Sequence, residues 1–227
     1  MKILCISDHI DPLVYTASIK ERFKDVDIIL SAGDLPQDYL EFVVSTLNKP
    51  LLTVYGNHNL EGLRNLKRRS EISLPWIPNR TGEIHIGSKV KKENGLIFAG
   101  LGGSMRYNGG DNQFTDFQMR WEILHLVPRL ILNRIFYGRF LDVLLTHAPP
   151  LGIHDKKDLC HRGFKAFLWF MRIFKPKYLI HGHIHLYDLA SVRLSRYCET
   201  LVINAYSHYV IDTGEKEESD IKKEYYG

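Results

Sequence analysis

Five short apolar runs, each ended by polar residues, constrain the fold of this chain more than any other feature. The runs have the length and composition of buried strands, and they are residues 2–6, 26–30, 51–55, 141–145 and 177–180. Asp, Asn or His side chains follow each run within a few residues. In α/β and layered folds, strand ends of this kind converge on one edge, where ligands bind. The sequence therefore predicts an α/β domain with one polar, metal-binding edge.

The densest group of these polar residues lies in the segment 179–185, which reads Leu-Ile-His-Gly-His-Ile-His. Gly182 allows the backbone to turn sharply as it leaves the strand. His183 and His185 are two residues apart, so both imidazoles lie on the same side of an extended backbone. Two histidines in this arrangement can bind metal ions, although each could equally be a core or surface histidine with an ordinary hydrogen bond.

The order of these motifs resembles the signature of the calcineurin-like metallophosphoesterase superfamily. The matching segments span almost the whole chain and are Asp8, Gly33–Asp34, Gly56–Asn57–His58, His147 and Gly182–His183–Ile184–His185. The resemblance implies an α/β fold: a metallophosphoesterase-type two-sheet β-sandwich flanked by helices, in four αββα layers. Two positions depart from the signature. Ile10 replaces a histidine expected two residues after Asp8, and Asn59 replaces an acid expected after His58.

A set of metal ligands is implied by this resemblance. Asp34 would bridge two metal ions, Asp8 and His185 would hold the first, and Asn57, His147 and His183 would hold the second. Two divalent ions can activate a water and neutralise the phosphoryl oxygens during hydrolysis of a phosphate ester. Asp, Asn and His suit Mn²⁺, which is favoured here, with Fe and Zn²⁺ as alternatives. His58 matches the histidine that protonates the leaving oxygen or stabilises the transition state.

The first metal position lacks one ligand because Ile10 cannot bind metal. His9 and Asp11 are the neighbouring candidates. If the first strand continues to Ile10, His9 faces away from Asp8, whereas Asp11 lies in the turn before Pro12 and can point inward. Asp11 is therefore the favoured substitute.

Substrate contacts are expected from two loops. Arg106 and Asn108 follow a glycine-rich strand end, where a cation and an amide could hold a phosphate oxygen, although a surface loop with a stabilising arginine is an equal alternative. By a looser analogy with the family, the loop after His147 would border the substrate. Its candidates for contact with a leaving group are His154, Asp155, His161 and Arg162.

Helices are expected at about 16–22, 37–47 and 164–174, with further strands at 83–86 and 96–101 around a turn at 92–95, and at 201–204 and 209–211. Residues 1–58 form two strand–helix–strand units and imply parallel pairing. The domain is expected to cover residues 1–212, followed by a charged, flexible tail at 213–227.

Residues 113–140 interleave apolar side chains with arginines, and one or two helices broken near Pro128 fit them best. The favoured interpretation is a helical insertion or cap that packs on a sheet. A basic amphipathic surface that meets anionic lipid is the alternative. Both interpretations need one apolar face, so the sequence does not separate them.

Composition excludes few functions. The 30 basic and 26 acidic residues leave a net charge of +4, and a charge of this size does not by itself indicate a nucleic-acid-binding surface. Three widely spaced cysteines and the lack of a leader or an apolar run long enough for a membrane span predict reduced thiols in a cytoplasmic protein.

The first functional hypothesis is a metal-dependent phosphoesterase acting on a small phosphodiester or phosphomonoester. The alternatives are an inactive interaction module and a phosphoesterase for lipid-linked phosphates.

Overall fold

The computed structural model describes residues 1–58, 82–188 and 191–214, and strands alternate with helices in residues 2–53 and 113–181. The helices are α1 (Ile19–Arg22), α2 (Gln37–Leu47), α3 (Asp116–Tyr137) and α4 (Lys165–Phe174). The strands are β1 (Lys2–Ser7), β2 (Val26–Ser31), β3 (Leu51–Thr53), β4 (Ile84–His85), β5 (Lys89–Glu93), β6 (Leu96–Leu101), β7 (Ser104–Met105), β8 (Gln113–Phe114), β9 (Val143–Thr146), β10 (Tyr178–His181), β11 (Leu194–Tyr197), β12 (Thr200–Asn204) and β13 (Ser207–Asp212).

Two sheets form the centre of the fold. The first sheet has the order β13-β1-β2-β3-β4, with β1 to β4 parallel and β13 antiparallel to β1. The second has the order β11-β12-β10-β9-β6-β5, in which β12, β10, β9 and β6 are parallel and both outer strands are antiparallel. The parallel pairing expected for residues 1–58 is confirmed.

Three hydrophobic cores separate four layers. The central core lies between the two sheets and includes Ile3, Leu30, Val143 and Ile180. Side chains alternate along a strand, so the neighbours of these core residues point to the outer face of each sheet. On that outer face they pack against helices. The first sheet packs on α1 and α2, and the second packs on α3 and α4. The predicted αββα arrangement is confirmed.

Two expectations about local structure are wrong. Residues 83–86 and 96–101 do not form one hairpin, because Ile84–His85 pairs with β3 of the first sheet while β5 is the partner of β6. The helix of residues 113–140 is not broken at Pro128, since α3 runs through it without interruption. Pro128 is exposed, so its ring faces solvent and does not have to fit into the core.

The ends of the fold leave some expectations untested. β13 ends at Asp212, where the sequence predicts the end of the domain. Most of the charged tail and the altered position Asn59 lie outside the described residues, so the domain boundary and both of these features stay predictions.

Candidate metal centre

The polar residues that follow the strands of both sheets meet at one edge of the sandwich. Asp8, Asp34 and Asn57 follow β1, β2 and β3, while His147 and His183 follow β9 and β10. Two hydrogen bonds fix the strand ends in place. The backbone N–H of Gly182 donates to the His147 carbonyl at 2.9 Å, and that of His183 donates to Asp8 Oδ2 across the sheets at 2.8 Å.

Three of these side chains sit on a backbone that most residues avoid. Asp8, Asp34 and His183 have φ values of 61°, 54° and 66°, in the left-handed region. Asp and His tolerate this region better than most side chains, but it still costs free energy in a non-glycine residue. The surrounding fold maintains this conformation at three points of a single site.

Two glycines leave room for the carboxylates. A Cβ atom on Gly56 would lie 2.2 Å from Asp34 Oδ1, and one on Gly182 would lie 2.3 Å from Asp8 Oδ2. Neither distance is compatible with van der Waals contact. Any side chain at these positions would displace a carboxylate, which explains on steric grounds why both motifs contain a glycine here.

Four ligand-type atoms surround one point. His147 Nε2 lies 3.2 Å from Asp34 Oδ2, 3.2 Å from Asn57 Oδ1 and 3.1 Å from His183 Nδ1. Asp34, His147 and His183 form the metal-ligand cluster found among the described residues, with ligand atoms within 4.8 Å of one another.

Backbone carbonyls fix which ring nitrogens face this point. His147 Nδ1 donates to the Ala32 carbonyl at 2.8 Å, and His183 Nε2 donates to the Cys160 carbonyl at 2.8 Å. The nitrogens that face each other therefore both present lone pairs when the rings are neutral. Lone pairs that converge in this way repel unless a proton or a cation lies among them. The donor set fits a divalent cation.

Without a metal, a proton fulfils that role. Burial by itself would lower the pKa of His147, but the charge of Asp34 and the hydrogen bond to it raise the pKa to about 9. Burial would likewise raise the pKa of Asp34, but His147 and the N–H of His58 lower it to about 2. Asp34 and His147 therefore form a buried ion pair at neutral pH.

Two further polar side chains, Asp8 and His185, lie beside this cluster. His185 Nε2 is 3.9 Å from Asp8 Oδ1, and burial, together with the negative charge of Asp34, raises the pKa of Asp8. His185 Nδ1 also bonds to the hydroxyl of Tyr187 at 2.5 Å. The resemblance implies that these two residues hold the first metal, and that role stays a prediction.

Asp11 is directed elsewhere. Its Oδ1 accepts the N–H of Leu13 at 2.8 Å, and its Oδ2 accepts hydrogen bonds from the hydroxyl of Ser207 at 2.6 Å and from His208 Nδ1. The carboxylate is thus satisfied by the start of β13, and its predicted role as a ligand gains no support.

The strand argument for the direction of His9 does not apply. That argument extends β1 to Ile10, but β1 ends at Ser7 and Asp8 is left-handed, so strand alternation stops there. The ring of His9 stacks on Tyr206 at 5.8 Å between centroids, and His185 packs on the same Tyr206 ring at 4.9 Å.

His58 lies at the mouth of the centre. Its backbone N–H donates to Asp34 Oδ1 at 3.0 Å, and its side chain is exposed. The charge of the imidazole is near enough to contribute to the lowered pKa of Asp34. Such a position allows contact with a ligand from solvent, while the backbone of His58 fixes the Asp34 carboxylate.

The loop after β7 brings a different residue to the centre from those predicted. Arg106 donates to Gln118 Oε1 of α3 at 2.9 Å, and Asn108 Oδ1 accepts from Gln113 Nε2 at 2.7 Å, so both hold the loop together. Tyr107, between them, accepts a hydrogen bond from Asn57 Nδ2 at 3.3 Å. The sequence indicates Tyr107 only through its position between the two predicted contact residues, Arg106 and Asn108.

The loop after His147 also differs from expectation. Both ring nitrogens of His154 are engaged, with His181 Nε2 at 2.9 Å and Ser195 Oγ at 2.9 Å. Asp155 accepts the N–H groups of Gly152 and Gly163 and closes the loop. The ring of His161 lies 5.5 Å from that of His183, while Arg162 is exposed on the same loop. His161 and the Cys160 carbonyl are the parts of this loop that border His183.

The four-layer sandwich, with its Asp, Asn and His side chains converging at one edge, has the form of a metallophosphoesterase. The sequence profile of the calcineurin-like phosphoesterases matches residues 1–187, and the chain belongs to this family. A search of curated proteins finds no match.

Solved structures share the fold at low sequence identity. One crystal structure has a TM-score of 0.61 and 15% identity, covering 94% of this chain and 95% of that one. The protein TT1561 of Thermus thermophilus has a TM-score of 0.60 and 13% identity, with 91% of this chain and 89% of that one covered. An archaeal phosphodiesterase has a TM-score of 0.43 and 16% identity, with 96% of each chain covered.

Proposed function

We propose that this protein is a metal-dependent phosphoesterase that hydrolyses a phosphodiester or a phosphomonoester and holds two divalent cations, with Mn²⁺ favoured. The observation that carries the proposal is the convergence of Asp34, Asn57 and His183 on His147 Nε2 at 3.1–3.2 Å. No nucleophilic serine or cysteine is needed. Bound divalent cations would supply an activated water and would neutralise charge on the phosphoryl oxygens.

The chain's own residues then have separable roles. Asp34, Asn57, His147 and His183 would hold one cation, and Asp8, His185 and a shared Asp34 the other. The Ala32 and Cys160 carbonyls keep the two buried rings in the required tautomers. His58 is exposed beside Asp34 and is placed to donate a proton to the leaving oxygen.

Tyr107 has a positioning role in this proposal. Its hydroxyl accepts from Asn57 Nδ2, which keeps the amide oxygen of Asn57 directed at the cation position. Substrate contacts by Arg106, Asn108, His154 and Arg162 remain predictions, and of these Arg106, Asn108 and Arg162 are exposed on loops.

Metal analysis combined with a phosphate-ester panel tests the proposal. After reconstitution with Mn²⁺ the protein should bind two ions per chain and hydrolyse bis-(p-nitrophenyl) phosphate or its monoester, and chelation should abolish turnover. Asp34→Asn should lose both metal and activity. Full metal loading without turnover of any ester would favour the interaction-module alternative, and less than one ion per chain would contradict the metal centre itself.

A further inference from the structure

Helix α3 carries apolar side chains on two opposite faces. Met119, Ile123, Leu126 and Leu130 recur at helical spacing and are buried against the second sheet. A second stripe recurs at a similar spacing on the outer side and consists of Phe117, Trp121, Leu124, Ile131, Leu132 and Ile135. A helix on the surface of a soluble domain needs only the first of these faces.

The outer stripe is exposed. Phe117 is 70% exposed, Ile135 69% and Trp121 54%, and Phe136 at its edge is 72% exposed. Single exposed apolar residues are ordinary, but a continuous row along a helix of this length marks an interaction surface. We call these residues the outer face of α3.

Cations flank the outer face on both sides. At helical spacing, Arg120 lies on one side of the stripe and Arg129 on the other. Helix α4, which is joined to α3 where Asp116 accepts the N–H of Ala166 at 2.8 Å, adds exposed Lys165 and Arg172 and carries no acid.

The acids of α3 are already engaged within the domain. Asp116 accepts from Arg120 at 3.2 Å as well as from Ala166, and Glu122 accepts from the hydroxyl of Ser88 at 2.5 Å. A second copy of the chain on the same face would therefore offer Arg129 no acid of α3 that is not already engaged within its own domain. A surface that combines an apolar interior with negative charge complements the outer face of α3 better.

We propose that the outer face of α3 docks the protein on an anionic lipid membrane surface, with the helix lying in the plane of the interface. Phe117, Trp121 and Ile135 enter the boundary between headgroups and acyl chains, while Arg120 and Arg129 contact lipid phosphates. No helix among residues 1–58, 82–188 and 191–214 is long and apolar enough to cross a membrane. Docking of this kind needs no such helix and is independent of the proposed phosphoesterase activity.

Vesicle co-sedimentation of the full chain tests the proposal. The wild-type protein should sediment with vesicles of equal parts phosphatidylcholine and phosphatidylglycerol, much less with phosphatidylcholine alone, and less again in high salt. Replacing Trp121 and Ile135 by Gln should lower the partition coefficient about tenfold or more. Replacing Arg120 and Arg129 by Gln should lower it roughly 20-fold on anionic vesicles, with little change on neutral ones.

Matched controls lie on the opposite side of the sandwich. Leu13→Gln removes a half-exposed apolar side chain, and Lys20→Gln with Arg22→Gln removes the same charge from α1. Both should bind like wild type, and circular dichroism should show that every variant is folded. Binding that ignores lipid charge, or that the α1 variants weaken as much as the α3 variants do, would overturn the proposal. A dimer that the Trp121 and Ile135 substitutions dissociate, without vesicle binding by the wild type, would overturn it in favour of a second copy.

Discussion

At the scale of single residues, the buried ion pair between Asp34 and His147 links metal binding to pH. The pKa of His147 is raised to about 9, above its ordinary value of 6.5, because Asp34 lies 3.2 Å away. A raised pKa in the folded state means that the stabilisation from the pair is complete below the ordinary value and is lost as pH rises through about 9. A metal ion at His147 Nε2 must displace this proton.

We therefore expect metal affinity to rise with pH. The apparent association constant for Mn²⁺ should increase about tenfold per pH unit from neutral pH and level off near the His147 pKa of about 9. Calorimetry in buffers of different ionisation enthalpy measures the proton released. His85→Gln is a control, because burial lowers the pKa of His85 to about 4 and that ring is already neutral. An affinity that does not change over this range would contradict the ion pair.

His58 is expected to act in the chemical step and not in metal binding. Its side chain is exposed beside Asp34, so His58→Ala should leave metal content unchanged and lower turnover by about 10²–10⁴. The comparison is made on an ester with a poor leaving group, where protonation matters most. Loss of metal from His58→Ala would instead identify this histidine as a ligand.

His9 and Asp11 are expected to separate metal binding from stability. Asp11 bonds to Ser207 and His208, so Asp11→Ala should lower the free energy of unfolding by about 1–3 kcal/mol and leave the metal content unchanged. His9 shares the Tyr206 ring with His185, so His9→Ala should weaken the first metal position. Metal analysis and urea unfolding of both variants decide this. Metal loss from Asp11→Ala alone would restore Asp11 as the substitute ligand.

At the scale of elements, the capping of α3 links that helix to the edge of the metal centre. Thr115 Oγ1 accepts the N–H of Gln118 at 3.2 Å, and Gln118 Oε1 accepts the N–H of Thr115 at 2.9 Å. The same Gln118 oxygen accepts from Arg106, which precedes Tyr107. The helix start thereby anchors the loop that brings Tyr107 to Asn57.

Removal of this cap should cost stability. Thr115→Ala is expected to lower the free energy of unfolding by about 0.5–2 kcal/mol, measured by urea denaturation. Ser45→Ala is the matched control, because its hydroxyl is exposed on α2 and bonds to the Phe42 carbonyl three residues back. Equal losses from both substitutions would show that the cap has no special contribution.

The sequence predicts elements well where one apolar face defines them. Helix α2 has one such face and its bounds, Gln37–Leu47, agree with the prediction. Helix α3 has two, so periodicity alone revealed neither its continuity nor its exposure, and an exposed Pro128 interrupts it less than a buried proline would. The short strand Ile84–His85 was assigned to the wrong hairpin because its partner β3 lies far away in sequence.

The residues of the candidate metal centre also fall into two groups, those that directly follow a strand and those that lie on loops. Side chains that directly follow a strand are fixed by the strand, and Asp34, Asn57 and His183 all lie within 3.2 Å of His147 Nε2. Side chains on loops depend on bonds within the loop. Arg106, Asn108 and His154 form hydrogen bonds of this kind, whereas Tyr107 and His161 approach the centre. The order of residues in the sequence does not reveal which side chain of a loop faces the centre.

At the scale of the whole molecule, the candidate metal centre lies where two sheets that also share an apolar core meet at their polar edge. Asp34 and Asn57 follow strands of the first sheet, and His147 and His183 follow strands of the second. A bound cation would therefore link the two halves of the sandwich at their polar edge. An ion that binds only the folded chain also stabilises it by mass action.

We expect metal loading to raise the stability of the entire domain in one transition. At an Mn²⁺ concentration about 100 times the dissociation constant, the free energy of unfolding should rise by about 2.7 kcal/mol, which is about 5–11 °C in Tm for a chain of this size. Differential scanning calorimetry with Mn²⁺ and with a chelator measures the shift. Asn57→Ala should reduce it, since a ligand from the first sheet is lost, while the exposed substitution Leu13→Gln should leave it unchanged. A transition that splits in two on loading, or a Tm indifferent to Mn²⁺, would contradict a cation shared by both sheets.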